Sequence, residues 1–201
     1  MSESGFNDVV RMDVHRRERR GIAEAIFCEG KSPDQLRAIA AALSSQGDAT
    51  LFTRVLASQV ELLHELLPEG QWHATARLFA WPAAVPEPTG GRVIVACAGS
   101  SDVPVAMEAA TTARYLGRAT ELITDVGVAG IHRLLAHEEL LRAADVVIVV
   151  AGMDGALPGV VAGLISAPVI AVPTSVGYGA AFEGIAPLLT MHNACAPGVA
   201  V

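Results

Sequence analysis

Aromatic residues, cysteines and lysines are all scarce in this sequence, and each shortage excludes a class of protein. Aromatics make up 4% of the chain and hydrophobic residues 52%, so the apolar mass is aliphatic. That balance is typical of a buried parallel sheet covered by helices. The apolar runs, such as VVIVVAG, are too short to cross a bilayer, and the N-terminus carries no signal-peptide pattern. We therefore expect no membrane partner.

The three cysteines, Cys28, Cys97 and Cys195, lie far apart. An odd number without close spacing argues against a disulfide framework and a cysteine-rich zinc site, and it favours a reducing, cytoplasmic compartment. The formal net charge of −7 disfavours a nucleic-acid partner. Within that acidic balance, the basic run HRRERR at His15 to Arg20 is interpreted as a solvated helix face, with a phosphate contact as the alternative.

The proline-rich stretch WPAAVPEPTGG, which ends at Gly91, divides the chain. We predict a mixed α+β N-terminal lobe over 1–81, a linker over 82–91 and an α/β domain over 92–201. For the N-terminal lobe, the pattern predicts a charged helix from about Asp13 towards Phe27 and a strand at HATARLF.

The segment KSPDQL predicts a helix start in the same lobe. Ser32 is the expected N-cap, Pro33 the first helical residue and Gln35 the capping-box partner. That helix is expected to run to Gly47, and a strand (ATLFTR) and an amphipathic helix (VLASQVELLHELL) are expected to follow it.

The second part of the chain alternates apolar strand candidates with helical segments. The strands are RVIVACAG, ATELITDVG, DVVIVVAG and PVIAVPTS, and the helices are VPVAMEAATTARYLG, IHRLLAHEELLRAA, LPGVVAGLIS and GIAPLLTMH. Such alternation predicts right-handed βαβ units and a parallel sheet.

Each strand candidate ends in small and polar residues, namely AGSSD, TDVGVAG, AGMDGALPG and PTSVGYG. Ligands of open parallel sheets bind beyond the carboxyl ends of the strands, so a site is expected there. In AGSSD, Ser101 or Asp102 is either a plain helix cap or part of an anion site at the helix start. The single lysine, Lys31, lies far from these turns, which disfavours a P-loop, and GxGxxG is absent.

Several other strand-end residues have both a chemical and an ordinary interpretation. His132 and Arg133 either bind a phosphate or carboxylate or lie on the helix surface. Asp125 and Asp154 are candidate general bases, although a loop role is slightly favoured for Asp125. Tyr178 either stacks on a planar ring or is an ordinary loop residue.

The strand-end motifs resemble one known family. AGSSDVPVAMEA, DVGVAGIHRLL, VVAGMDGALPGVVAGL, PVIAVPTSVGYGAAFEG and LLTMHNACAPGVAV look like the LarB family of nickel-pincer nucleotide cofactor biosynthesis, and RRERRGIAEAIFCEGKSPDQL is similar to its N-terminal region. A more distant likeness is to PurE-type aminoimidazole ribonucleotide carboxylases. The resemblance implies a flavodoxin-like, three-layer, doubly wound parallel sheet after the mixed lobe.

The resemblance also implies an activity. It implies a carboxylase and hydrolase that adds CO2 to the pyridinium ring of nicotinic acid adenine dinucleotide and releases AMP, giving pyridinium-3,5-biscarboxylic acid mononucleotide. CO2 or bicarbonate is the expected co-substrate and Mg2+ the expected ion, with no tightly bound cofactor. A homo-oligomer is expected, an octamer by resemblance. The family pattern continues beyond the position of Val201, so the second domain is interpreted as shortened at its end.

The residue roles below follow from that resemblance and are hypotheses. Cys195 takes the place of the nucleophile, and Asp154 stands as proton acceptor where the family usually has Glu. His132 is the third catalytic candidate, and it holds phosphates or the incoming carboxylate together with Arg133. The expected substrate-binding residues are Ser100, Ser101, Asp102, Asp125, Arg133, Gly152, Met153, Ser175, Gly177 and Tyr178.

Two alternative functions compete with this one. A purine-pathway carboxylase or mutase of the PurE type shares the core, but its pattern has a histidine where Ala156 stands. A non-catalytic nucleotide-binding protein is the other alternative. Without the resemblance, Cys195 itself would be interpreted as a small buried thiol.

Overall fold

Two separate sheets organise the chain in the computed structural model, which describes residues 10–13, 15–46 and 49–201. The chain divides into compact units between Val85 and Pro86, inside the predicted linker. Residues 1–9, 14, 47 and 48 lie outside the description, and with them the N-terminal segment and the predicted helix end at Gly47. No helix of the described residues has the length and apolar character needed to cross a membrane.

The first unit contains a four-stranded mixed sheet in the order β1-β2-β4-β3. Strands β1 and β2 are parallel, and the other pairs are antiparallel. Its core contains Phe52 and Phe79, whose ring centroids lie 6.0 Å apart in an edge-to-face contact. Leucines of the helices pack in the same core. The elements are α1 (Arg16–Arg20), β1 (Ile26–Phe27), α2 (Pro33–Gln46), β2 (Thr50–Thr53), α3 (Ala57–Leu66), β3 (Gln71–His73) and β4 (Leu78–Trp81).

The predicted start of α2 is present in detail. Ser32 N donates to Gln35 Oε1 at 2.9 Å, and Gln35 N donates to Ser32 Oγ at 3.3 Å, which completes a capping box. The basic run forms α1, which contains no buried residue, and Arg19 pairs with Asp13. That guanidinium lowers the pKa of the Asp13 carboxyl. These contacts favour the solvated helix face for the run.

Two predictions for this unit are wrong. The charged helix does not continue to Phe27, because Gly21 ends α1 with φ 76° and Ile26–Phe27 pairs with β2 as a strand. HATARLF is not one strand, because residues 74–77 turn between β3 and β4. Its alternation of apolar and polar residues therefore reflects a hairpin turn that contains Arg77 at φ 49°.

The second unit contains five parallel strands in the order β6-β5-β7-β8-β9. Helix α4 packs on one face of the sheet through small alanines, and the remaining helices pack on the other face. This arrangement confirms the predicted doubly wound, three-layer α/β fold. The elements are β5 (Gly90–Cys97), α4 (Val103–Tyr115), β6 (Arg118–Ile123), α5 (Ile131–Leu135), α6 (Glu138–Arg142), β7 (Val146–Ala151), α7 (Leu157–Leu164), β8 (Val169–Pro173), α8 (Ile185–His192) and β9 (Val199–Ala200).

The second unit differs from prediction in two elements. The helix expected over 131–144 is split into α5 and α6, with His137 N bonded to Leu134 O at the break. The strand β9 was not predicted, because two residues are too few to show a period. It continues the sheet through the bond from Val169 N to Gly198 O at 2.9 Å.

Candidate active site

A pocket of about 680 Å³ lies at the carboxyl ends of the strands in the second unit. That volume is within the usual range for small-molecule sites. After β5 the chain adds β6 on one side of that strand and then β7 on its other side. Doubly wound folds bind ligands at this point, where the order of the strands switches. The lining residues are 98–102, 125, 127–129, 133, 151–154, 157, 176, 178, 180, 181 and 186.

Four turns line this edge of the sheet: AGSSD, TDVGVAG, AGMDGALPG and PTSVGYG are the first to fourth turns and close β5, β6, β7 and β8 in that order. The Asp102 carboxylate, which is only 3% exposed, holds the first turn in place. Its Oδ2 accepts from Gly99 N at 3.0 Å, and its Oδ1 accepts from the hydroxyl of Thr174 at 2.7 Å. Asp102 therefore does not cap α4, which has no side-chain cap hydrogen bond. Ser100 and Ser101 are exposed and line the pocket, and their hydroxyls can donate to an anion, so the arrangement favours an anion site over a plain cap.

The second turn brings an ion pair to the pocket. Asp125 adopts the left-handed conformation with φ 59°, and its carboxylate is ion-paired with Arg133. Both residues line the pocket. The pairing favours the loop role for Asp125 over that of a general base. His132 is exposed on α5 and is not among the lining residues, so the structure does not bring it to this site.

The third turn carries the candidate base. Asp154 lines the pocket, and its Oδ1 accepts from Ala156 N at 3.2 Å. Gly152 has no room for a side chain, because a Cβ there would overlap Val176 O and would lie 2.6 Å from Thr174 Oγ1. Met153 N donates to the same carbonyl of Val176 at 2.8 Å. The third and fourth turns are thus joined backbone to backbone.

The fourth turn supplies an apolar wall. Tyr178 lines the pocket together with the small side chains of Ala180 and Ala181. The tyrosine is 82% exposed. Ser175 and Gly177 do not line it, although Gly177 packs close to Ala181. The prediction of these two as direct contacts is not supported within one chain.

Cys195 lies at the opposite edge of the sheet. It is exposed, and it follows α8 in the loop that leads into β9. Gly198 in that loop accepts from Val169, the first residue of β8, so the loop lies at the amino ends of the strands. The length of β8 separates the two edges by about 13 Å. Within one chain, the structure therefore does not bring Cys195 to Asp154.

Cys97 is the thiol nearest the pocket floor, at the end of β5. It is fully buried, and its Sγ lies 3.6 Å from Gly99 O. Burial is the main cause that raises the pKa of this thiol. A hydrogen bond with the backbone of Asp125 lowers the pKa, and the charges of Asp102 and Asp125 raise it. A buried and protonated thiol is a poor nucleophile. Cys97 therefore packs the core beneath the first turn.

The residues of the pocket do not form a resident metal centre. Among the residues that the structure describes, no three His, Cys, Asp or Glu side chains converge as ligands. Asp102 is engaged by Gly99 and Thr174, and Asp125 by Arg133.

Thr174 is the residue of this site that the sequence interpretation missed. It is 6% exposed, directly after β8, and it links the first turn to the fourth through Asp102. Its hydroxyl also accepts from Val176 N at 3.4 Å. The only signal in the sequence is a hydroxyl residue at a strand end, next to Ser175, which is the residue predicted to contact the substrate.

Fold and pocket together define an α/β protein with a doubly wound parallel sheet and a small-molecule site at its strand ends. Residues 92–201 match the family described as AIR carboxylase, and residues 5–83 match the LarB/PurE-like N-terminal domain. An uncharacterized protein of Methanocaldococcus jannaschii is 36% identical over 206 residues, covering 96% of this chain and 77% of that protein. The chain therefore belongs to the LarB family and has a PurE-like core, which confirms the resemblance.

Proposed function

We propose that this protein carboxylates the pyridinium ring of nicotinic acid adenine dinucleotide and hydrolyses its phosphoanhydride. The AIR carboxylase domain supports a carboxylase-related activity. The observation that carries the finer proposal is the strand-end pocket, which combines an anion site, a carboxylate and an exposed aromatic ring in about 680 Å³. These are the groups that a dinucleotide with two phosphates and a flat cationic ring requires.

The phosphates are assigned to the side of the pocket that holds Arg133 and two serine hydroxyls. Ser100 and Ser101 offer hydroxyl donors there, and Arg133 adds a guanidinium. The pyridinium ring is assigned to the side of Asp154 and Tyr178, where a carboxylate and an aromatic face suit a cation.

The proposed carboxylation is covalent catalysis by Cys195, which a neighbouring copy in the expected homo-oligomer would supply, because this thiol lies at the opposite edge of the sheet from the pocket of its own chain. The thiolate adds to ring carbon 4, and the ring nitrogen takes up the electron pair to become an enamine nitrogen. Carbon 5 then attacks CO2, and Asp154 removes the proton from carbon 5. Expulsion of the thiolate breaks the carbon–sulfur bond and restores the aromatic ring. The net change is one proton exchanged for one carboxylate.

Hydrolysis of the phosphoanhydride requires charge neutralisation at the phosphates. Water attacks one phosphorus atom and the other phosphate leaves as AMP, so negative charge grows on the leaving oxygen. The hydroxyls of Ser100 and Ser101 and the Arg133 guanidinium are the groups of this chain assigned to stabilise that charge.

The test is incubation of the full chain with nicotinic acid adenine dinucleotide, bicarbonate and Mg2+, followed by mass spectrometry of products and protein. Wild type should release AMP and the biscarboxylated mononucleotide. Cys195→Ala should form no carboxylated product, while Ser175→Ala, a matched change outside the pocket lining, should behave like wild type. Carboxylation retained by Cys195→Ala would sink the covalent mechanism.

The match to AIR carboxylase keeps a purine-pathway activity as the second candidate. Aminoimidazole ribonucleotide in place of the dinucleotide distinguishes the two. We expect no turnover of it, because Ala156 stands where that chemistry places a histidine. Binding of the dinucleotide without AMP release would favour the non-catalytic alternative.

A further inference from the structure

One hydroxyl group lies where three of the four turns of the pocket meet. Thr174 of the fourth turn is 6% exposed, and its Oγ1 donates to Asp102 Oδ1 of the first turn at 2.7 Å. The same oxygen accepts from Val176 N at 3.4 Å. A Cβ on Gly152 would lie 2.6 Å from this oxygen, so the third turn packs directly against it. Thr174 is therefore a shared contact of the first, third and fourth turns.

The partner of that hydroxyl is a buried carboxylate. Asp102 is 3% exposed, and its two oxygens accept from the Thr174 hydroxyl and from Gly99 N, which are both uncharged donors. A carboxylate out of water is costly unless its oxygens accept hydrogen bonds. Loss of the hydroxyl would force the carboxylate to turn or the first turn to open towards water. The hydroxyl therefore holds the first turn in place as well as joining it to the fourth.

The two turns that this hydrogen bond joins carry the two sides of the proposed binding site. Ser100 and Ser101, which are assigned to the phosphates, lie in the first turn, and Tyr178, which is assigned to the pyridinium ring, lies in the fourth. All three side chains are exposed, so their own packing does not fix the spacing between them. That spacing depends on how the two turns are joined, and the bond between Asp102 and Thr174 joins them directly.

We propose that Thr174 is a positioning residue, which acts through Asp102 to keep the phosphate side and the ring side of the pocket at one fixed spacing. Thr174 itself does not line the pocket, so it acts only through other residues. A ligand with two joined ends gains affinity over its separate ends only when the spacing of the two sites matches its length. Thr174 therefore favours a whole dinucleotide over either mononucleotide. The ligand preference rests on the proposed function, whereas the link between the turns does not.

Calorimetric titration of the full chain tests this role. The probes are nicotinic acid adenine dinucleotide, AMP and nicotinic acid mononucleotide, each without bicarbonate and with EDTA present to hold back turnover. For Thr174→Val, the dissociation constant of the dinucleotide should rise about tenfold or more, while those of the two mononucleotides should change less than about twofold. Thr174→Ser keeps the hydroxyl and should bind the dinucleotide like wild type.

A variant with lowered stability and an unaltered pocket separates positioning from general destabilisation. Val147 is fully buried near the amino end of β7 and does not line the pocket, and Val147→Ala leaves a cavity there. This variant should melt at a lower temperature than wild type and yet bind all three probes as wild type does. Thr174→Val that binds the dinucleotide like wild type, or that weakens all three probes by the same factor, would overturn the proposal.

Hydrogen exchange tests the link between the turns without any ligand. Gly99 N donates to Asp102 Oδ2, and Asp102 N donates to Gly99 O at 3.1 Å, so both amides should exchange slowly while the first turn is held. In Thr174→Val, peptides that cover residues 98–102 should exchange roughly tenfold faster than in wild type, and in Thr174→Ser at the wild-type rate. Unchanged exchange in Thr174→Val would refute the link. Faster exchange in a protein whose wild type binds no dinucleotide would instead sink the proposed function and leave the link standing.

Discussion

The two edges of the parallel sheet in the second unit differ in how their backbones are shaped. At the carboxyl edge, four non-glycine residues adopt the left-handed conformation: Asp125, Met153, Phe182 and Glu183. At the amino edge, positive φ occurs among the described residues only at Gly117 and Gly198, where it carries no steric penalty. Left-handed non-glycine residues cost on the order of 1–3 kcal/mol each. The carboxyl edge is therefore formed against local preference, as binding sites often are, and the amino edge follows local preference.

The largest effect is expected from Gly152→Ala at the carboxyl edge. A Cβ there would overlap Val176 O and press on Thr174, so the third turn must move away from the fourth. We expect a loss of stability of about 1–3 kcal/mol and a loss of turnover of roughly a hundredfold. Thermal unfolding and AMP release measure the two effects.

The control for that change is Gly163→Ala in α7, where a Cβ meets nothing within 4 Å. A helical glycine replaced by alanine should raise stability by roughly 0.5–1 kcal/mol and leave turnover unchanged. If both glycine variants melted alike, the close packing of the third and fourth turns would be refuted.

A smaller effect is expected from Thr174→Val. The substitution leaves one oxygen of the buried Asp102 without its hydroxyl donor, which should lower the free energy of unfolding by about 1–3 kcal/mol. Thr174→Ser should restore most of it, because the donor returns. Arg92→Ala at the amino edge removes an exposed pair with Glu121 and should cost no more than about 1 kcal/mol in urea titrations. An amino-edge loss equal to that of Thr174→Val would contradict the contrast between the edges.

The smallest effect is a dependence of stability on alkaline pH. Burial raises the pKa of Cys97, and it raises that of Cys28 in the first unit to about 12. The unfolded thiols ionise near about 8.5, so this stability is fully present below that pH and is lost as the pH rises above it. Urea unfolding at a series of pH values should show a decline that Cys28→Ala reduces.

Alkylation in the native state gives the matching control for that pH dependence. Iodoacetamide should label the exposed Cys195 and spare Cys28 and Cys97, as peptide mass spectrometry would show. Rapid labelling of Cys97 would contradict its burial beneath the first turn.

The features that could be predicted from the sequence are those that depend on residues close together in the chain. Apolar runs closed by glycine mark the strands and their ends, which is why the doubly wound fold and most of the pocket were predicted. The capping box of Ser32 and Gln35 is local in the same way. For Asp102, the turn alone left a helix cap and an anion site open, and the family resemblance assigned it to the substrate site.

The features that could not be predicted depend on contacts between distant residues. Thr174 acts through Asp102, 72 positions away, and no local pattern reports that hydrogen bond. His132 and Arg133 are neighbours, yet helical rotation places only Arg133 in the pocket. The position of Cys195 is decided by β9, which is two residues long.

Helix α8 also fixes the distance between the pocket and the exposed thiol of Cys195. Gly155 packs on Pro187 near the start of the helix, and Cys195 follows its end, so its eight residues set that distance. One inserted residue would advance that thiol by about 1.5 Å and rotate it by about 100°. Related chains should therefore tolerate substitutions on α8 far better than any change in its length.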